Sequence, residues 1–118
     1  MDNMIRKAED CPVELRENMR GGDGTVEITN FVTKDELYQK GRLFSKIRLA
    51  PGCGIGYHIH ESDSEIFYFT KGTAKYSDNG EWTTVGAGDV AVTPKGHGHS
   101  VINETDSDVE LIALIVYA

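Results

Sequence analysis

Three histidines and one glutamate carry the clearest chemical pattern in the chain. His58 and His60 flank Ile59 in the segment GCGIGYHIHESDSE, and Glu65 follows after a polar turn. Alternate side chains of a strand share one face, so the two imidazoles project together from Cα atoms roughly 6.5 to 7 Å apart. A helix would need them three or four residues apart. The spacing therefore predicts a strand whose two histidines converge on one metal ion, with the carboxylate returning beside them.

A second cluster supplies another ligand. In TPKGHGHSVIN, a loop from Pro94 to Gly98 delivers His99 to the start of a further strand. His99 is then the natural fourth ligand. Three imidazoles and one carboxylate suit Mn, Fe, Ni, Cu, Co or Zn rather than Ca or Mg, which prefer oxygen ligands. We predict one divalent transition metal with about two open coordination positions on an octahedral ion, where a substrate, dioxygen or water could bind.

A metal-free pocket is the alternative for these four residues. They would then satisfy one another by hydrogen bonding, and any histidine or carboxylate left unpaired in the interior would be costly.

With a divalent ion bound, the single carboxylate among the ligands does not neutralise its charge, so the site is net positive. That charge favours an anionic or enolisable ligand.

Four other side chains are candidates for the pocket. Phe67 and Phe69 share a strand face with Glu65, so they could line the cavity or belong to the core. Arg48 could point inward and clamp a substrate carboxylate, or point outward as a solvated charge. His97 could be a general acid or base at the pocket mouth, or an exposed loop histidine.

The elements that must position these residues are strands separated by turn residues. The chain has 13 glycines and three prolines, a composition typical of many tight turns. Asn79-Gly80 supplies the positive φ angles of a tight hairpin. The predicted strands are Thr25 to Phe31, Leu43 to Leu49, Gly56 to His60, Glu65 to Thr70, Thr73 to Ser77, Glu81 to Val85, Asp89 to Val92, His99 to Asn103 and Val109 to Tyr117.

The N-terminal part of the chain is less regular. Thr33 and Glu36 form a capping box that predicts one short helix. Residues 1–24 form an N-terminal arm before a core of residues 25–117, and Met1 to Asn18 lacks a clear pattern. That stretch is either an edge strand or mobile.

Length and charge limit the classes of function. A chain of 118 residues has the length of a single domain. A net charge of −7 argues against nucleic-acid and membrane-surface partners. We see no signal peptide, and the longest apolar run, Leu111 to Val116, is far shorter than the roughly 20 residues of a spanning helix. A cytoplasmic protein is expected, with Cys11 and Cys53 as reduced packing residues.

The two clusters resemble the two motifs of the cupin superfamily. The positions that match the first motif are Gly52, His58, His60, Glu65 and Gly72, and those that match the second are Gly88, Pro94, Gly96, His99 and Asn103. The short connector is similar to that of small microbial single-domain cupins. The resemblance implies an all-β fold, a double-stranded β-helix or jelly roll, with the metal inside on His58, His60, Glu65 and His99. It also implies a homodimer, paired through the sheets.

Two functions of different class follow. One is a metal-dependent enzyme, dioxygenase-like or isomerase- or lyase-like, that acts on a small oxygenated metabolite such as an anion. The other is a non-catalytic module that binds or senses a small molecule and uses the metal structurally. Complete ligands and open coordination favour the enzyme, whereas the lack of a dedicated acid/base pair favours the binding module.

Overall fold

The computed structural model describes residues 5–118, which form ten strands and three short 3₁₀ turns. The turns are Ala8–Asp10, Met19–Gly21 and Asp35–Leu37. The strands are β1 (Val13–Glu17), β2 (Thr25–Asn30), β3 (Gly41–Leu49), β4 (Gly54–Ile59), β5 (Asp63–Lys71), β6 (Thr73–Asp78), β7 (Glu81–Gly86), β8 (Val90–Thr93), β9 (Gly98–Ile102) and β10 (Val109–Tyr117).

The strands form two antiparallel sheets. The larger sheet has the order β1-β2-β3-β10-β5-β8, and the smaller has the order β4-β9-β6-β7. Side chains that alternate inward from the two sheets fill the space between them, as in a β-sandwich. Buried side chains such as Ile28, Leu49, Phe69, Val101 and Leu111 form this core. The predicted all-β jelly roll is confirmed.

Each predicted strand is present, with ends that shift by a few residues. Val109–Tyr117 has the predicted bounds, whereas β4 ends at Ile59 and leaves His60 just beyond it. The predicted Asn79-Gly80 hairpin joins β6 to β7, with φ angles of 52° and 97° at the two turn residues. Positive φ at both positions is what a two-residue hairpin turn requires.

The predicted short helix is a single 3₁₀ turn, Asp35–Leu37. Its capping box forms in both directions: the Thr33 N–H donates to Glu36 Oε1 over 2.9 Å, and the Glu36 N–H donates to Thr33 Oγ1 over 3.2 Å. The turn cannot continue because Tyr38 and Gln39 adopt φ angles of 52° and 59°. Such left-handed residues end a helix.

Part of the arm, Val13–Glu17, forms an edge strand, the first of the two alternatives. Strand β1 pairs with β2 in the register Val13↔Thr29 to Glu17↔Thr25. The chain then turns through Met19–Gly21 and lies against the other sheet, where the Gly54 N–H donates to Asp23 O over 2.9 Å. Residues 1–4 lie outside the described part of the chain. Within residues 5–118, no helix has the length and apolar character needed to cross a membrane.

Candidate metal centre

The four predicted ligands come together between the two sheets. His58 on β4 pairs across the smaller sheet with His99 on β9, and Glu65 projects from β5 of the larger sheet. His60 follows β4 directly. His60, Glu65 and His99 are buried, with exposures of 2%, 5% and 1%. One ligand atom from each of the four lies within 4.8 Å of the others.

The ring nitrogens that face each other are the Nε2 atoms. His60 Nε2 and His99 Nε2 are 3.1 Å apart, and His99 Nε2 and His58 Nε2 are 3.2 Å apart. Glu65 Oε1 lies 3.0 Å from both His60 Nε2 and His99 Nε2. All four donors therefore point at one small volume.

The other nitrogen of each ring already has a partner. His58 Nδ1 lies 2.8 Å from Gly56 O, and His60 Nδ1 lies 2.6 Å from Asp63 Oδ1. Both oxygens can only accept, so each Nδ1 carries a proton and the Nε2 of the neutral ring presents its lone pair. His99 Nδ1 lies 2.9 Å from the Tyr76 and Thr93 hydroxyls, which can accept its proton.

This donor set fits a transition metal. Three nitrogen lone pairs and a carboxylate oxygen about 3 Å apart would repel one another, and a cation between them removes that repulsion. The partners of the Nδ1 atoms hold each ring in the orientation that a metal ligand needs. The nitrogen-rich set matches the predicted metals rather than Ca or Mg.

Burial and hydrogen bonding shift the pKa values of the candidate ligands. Burial lowers the pKa of His58 to about 4, so its ring is neutral near pH 7. Burial alone would raise the pKa of the Glu65 carboxyl, but the contacts with the His60 and His99 rings outweigh it, and the pKa lies below its usual range. The hydrogen bond to Glu65 raises the pKa of His60. A proton on His60 therefore competes with a cation for the same lone pair.

Asp63 and Arg42 extend the site beyond the ligands. Asp63 is buried, and its Oδ2 accepts a 2.8 Å hydrogen bond from Arg42 Nε, while its Oδ1 faces His60. Burial would raise the pKa of Asp63, but the bonds from Arg42 and His60 outweigh it and lower the pKa. The ionised carboxylate fixes the His60 ring. Sequence reasoning missed this pair, although Asp63 lies in the polar turn between two predicted ligands.

Two β-bulges shape the inner surface. In β4, Ile55 pairs with Val101 and His58 with His99, so β4 carries one extra residue and Ile55 faces the same side as His58. In β3, the register shift opposite Ile115 leaves Arg42 without a pairing partner. A bulge can re-aim a side chain. Arg42 thus turns towards Asp63, whereas strict alternation would place it on the outer face.

A small cavity opens from the metal ligands towards the arm. Its volume is about 40 Å³, which is enough for at least one water. Its apolar wall includes Ile28, Ile47 and Ile55. Its charged wall consists of three arginines, Arg16, Arg20 and Arg42.

The other sequence candidates lie elsewhere. Phe67 and Phe69 are buried in the core, and the Phe67 ring stacks on His99 with centroids 4.9 Å apart. Arg48 points outward, where its Nε donates to Asp108 over 2.9 Å and its Nη1 pairs with Glu27 over 3.2 Å. The prediction that Arg48 points inward and clamps a substrate carboxylate is therefore wrong. Arg48 does not line the cavity, because alternation along β3 turns it to the outer face.

His97 lies on the exposed loop before β9. Its carbonyl accepts the His60 N–H over 3.0 Å, and its side chain is not part of the cavity wall. This position agrees with the alternative that His97 is an exposed loop histidine. Its backbone helps to place His60, while its ring lies away from the ligands.

The comparison with protein families fits this geometry. The model of the Cupin_2 family, described as a cupin domain, matches residues 45–117. The chain belongs to the Cupin_2 family. The cupin fold and both motifs predicted from the sequence are thereby confirmed.

Relatives of this cupin are known from Thermotoga maritima and a fungus. A T. maritima protein named oxalate-binding protein is 38% identical over 113 residues, which cover 96% of this chain and 93% of that one. A crystal structure of a predicted oxalate decarboxylase from T. maritima superposes with a TM-score of 0.93, at 36% identity, covering 98% of this chain and 100% of that one. An oxalate decarboxylase of Arthroderma benhamiae is 32% identical over 102 residues, 82% of this chain but 23% of the fungal protein.

Proposed function

We propose that this cupin uses a divalent transition metal to bind a small dicarboxylate dianion such as oxalate. The observation that carries the proposal is the charge of the cavity. In a chain of net charge −7, the charged side chains that line the cavity beyond the metal ligands are Arg16, Arg20 and Arg42. Such a concentration of guanidinium groups around a cationic centre attracts anions.

The size of the cavity supports a ligand of a few atoms. A cavity volume of about 40 Å³ favours a small ligand such as oxalate, with six heavy atoms, over a larger sugar acid. When bound, the metal would supply positive charge for carboxylate oxygens at its open positions. Guanidinium groups donate in a planar fork that matches the remaining carboxylate oxygens.

The residues that line the cavity favour ligand binding over catalysis. Among the described residues of the cavity wall, the titratable side chains besides the ligands are arginines, which stay protonated in proteins. None of them serves as a general acid or base near neutral pH. Decarboxylation or oxidation of the same dianion is the second candidate, and it is supported by the 32% identity to the fungal oxalate decarboxylase.

Isothermal titration of the metal-loaded protein with oxalate tests the proposal. We expect oxalate to bind more tightly than malonate, and malonate more tightly than succinate, because the cavity is small. Protein stripped of metal should lose at least about tenfold in affinity, since the ion supplies part of the attraction.

Parallel incubations with oxalate under air separate binding from catalysis. Oxalate that binds and is recovered intact supports the binding function, whereas formate, carbon dioxide or hydrogen peroxide above the metal-only control supports the enzyme. No oxalate binding by metal-loaded protein would refute the proposal.

The predicted homodimer belongs to the same proposal. Val92, Ile66, Leu114 and Phe44 pair across four strands in one row on the outer face of the larger sheet. Val92 and Phe44 are 55% and 37% exposed, and a second copy would cover such an apolar row. We expect sedimentation velocity to give a dimer, and Val92→Glu to weaken dimerisation at least about tenfold.

The equally exposed Val13, on the opposite edge strand, provides the matched control for the dimer. The variant Val13→Glu should stay dimeric. A monomeric wild type at high protein concentration would contradict the prediction. The cytoplasmic location and the exclusion of nucleic-acid and membrane partners stay predictions.

A further inference from the structure

One of the three cavity arginines has its guanidinium free for a ligand. Arg42 is bonded to Asp63, and Arg16 pairs with Glu14. Within residues 5–118, the side chain of Arg20 makes no hydrogen bond or ion pair, although it lines the cavity. Its donors are therefore available to an incoming anion.

The backbone that carries Arg20 is tightly specified. Asn18, Arg20 and Gly21 have φ angles of 51°, 54° and 83°, and a non-glycine residue in this region is uncommon. The turn is closed by the Gly21 N–H to Asn18 O and the Gly22 N–H to Met19 O, each over 2.9 Å. A rare conformation that is held in place by its surroundings is a feature of ligand-binding segments.

The turn packs directly on β4, the strand that carries the metal ligand His58. A Cβ on Gly56 would lie 2.0 Å from Arg20 O, and a Cβ on Gly22 would lie 2.3 Å from Gly54 O. Only glycine allows such close approach of two backbones. The Arg20 carbonyl therefore packs on β4 at Gly56.

Gly56 connects the turn to the metal centre. Its carbonyl oxygen lies 2.8 Å from His58 Nδ1 and holds that ring in place. The same residue thus positions a metal ligand and gives room to the Arg20 backbone. This shared contact fixes the position of the Arg20 backbone relative to the His58 ring.

We propose that Arg20 determines the selectivity of the cavity for dianions over monoanions. The inference rests on the proposed function. Arg42 and Arg16 each donate their Nε to a carboxylate, Asp63 and Glu14, which offsets their charge. In the described part of the chain Arg20 has no such carboxylate partner, so it is the group that donates to the second carboxylate of the ligand, the one that distinguishes oxalate from glycolate. A paired, charge-assisted contact of this kind contributes strongly to affinity.

The test compares oxalate and glycolate binding to metal-loaded wild type, Arg20→Gln and Arg20→Lys. The matched control is Arg48→Gln, which removes the same charge from the outer face, where Arg48 pairs with Asp108 and Glu27. We expect Arg20→Gln to weaken oxalate about 10- to 100-fold and to lower the preference for oxalate over glycolate at least about tenfold. Arg20→Lys should recover part of that preference, and Arg48→Gln should match wild type within about threefold.

Metal content and the melting temperature of each variant separate a ligand contact from a structural role. Both should equal wild type in Arg20→Gln. If wild type binds oxalate and Arg20→Gln binds it equally, the assignment of Arg20 is overturned while the proposed function stands. Equal losses in Arg20→Gln and Arg48→Gln would overturn it too, in favour of a general charge effect. If metal-loaded wild type binds no oxalate, the proposed function itself fails.

Discussion

Protein carrying His58→Ala is expected to retain less than about a tenth of the metal bound by wild type after dialysis. The substitution removes one of four converging donors, and an incomplete set binds a divalent ion far more weakly. His58 is only partly buried, so the fold should survive the truncation. Metal per chain from elemental analysis, with circular dichroism to monitor folding, gives the result.

The matched control is His97→Ala. His97 is an exposed histidine two residues from His99, and its ring is not among the converging donors. That variant should keep wild-type metal content. Full retention of metal by His58→Ala, or equal loss from both variants, would refute the assignment of the site. The metal found in wild type also identifies the native ion among those that the donor set allows.

Phe67→Ala is expected to destabilise the protein by about 3 to 5 kcal/mol. Phe67 is 2% exposed and contacts Phe69, Tyr76 and His99 through its ring. Its removal leaves a cavity that the two sheets cannot close. Since a domain has only about 5 to 15 kcal/mol of stability in total, the variant should melt about 10 °C or more below wild type.

Urea unfolding in the presence of a chelator measures this loss without a contribution from bound metal. Leu15→Ala is the control, because Leu15 lies on edge strand β1 at 68% exposure, outside the apolar row of the proposed dimer. It should cost no more than about 1 kcal/mol. Equal stability of the two variants would mean that Phe67 is not part of the core. Weaker metal binding by Phe67→Ala is a second expectation, because the His99 ring loses its stacking partner.

The metal ligands were predictable because local patterns determine them. His58 and His60 lie two residues apart at the end of one strand, and the cupin motifs fix how Glu65 and His99 return to them. The hairpin at Asn79-Gly80 was predictable for the same reason, since the turn needs those residue types. Strand periodicity also separates the core from the outer face wherever the pairing register is continuous.

The arginine-lined wall of the cavity was not predictable from local patterns. Arg42 and Arg48 have the same parity along β3, and only the bulge opposite Ile115 turns Arg42 towards Asp63 while Arg48 stays outside. No residue type around Arg42 predicts the bulge. Arg20 reaches the cavity because the arm packs across β4 at Gly56, a contact between segments more than 30 residues apart. Such long-range packing is invisible to periodicity.

The cavity is lined by residues from two parts of the chain, the arm with β2 and the start of β3, and the chain that follows. The family match spans residues 45–117 and contains all four metal ligands, whereas Arg16, Arg20 and Arg42 all precede it. The metal ligands and the cavity arginines therefore lie in separate stretches of sequence. Exchange of residues 16–21 between related barrels would redirect the ligand while the metal site stays intact, provided that Gly56 is kept as the point on which the exchanged turn rests.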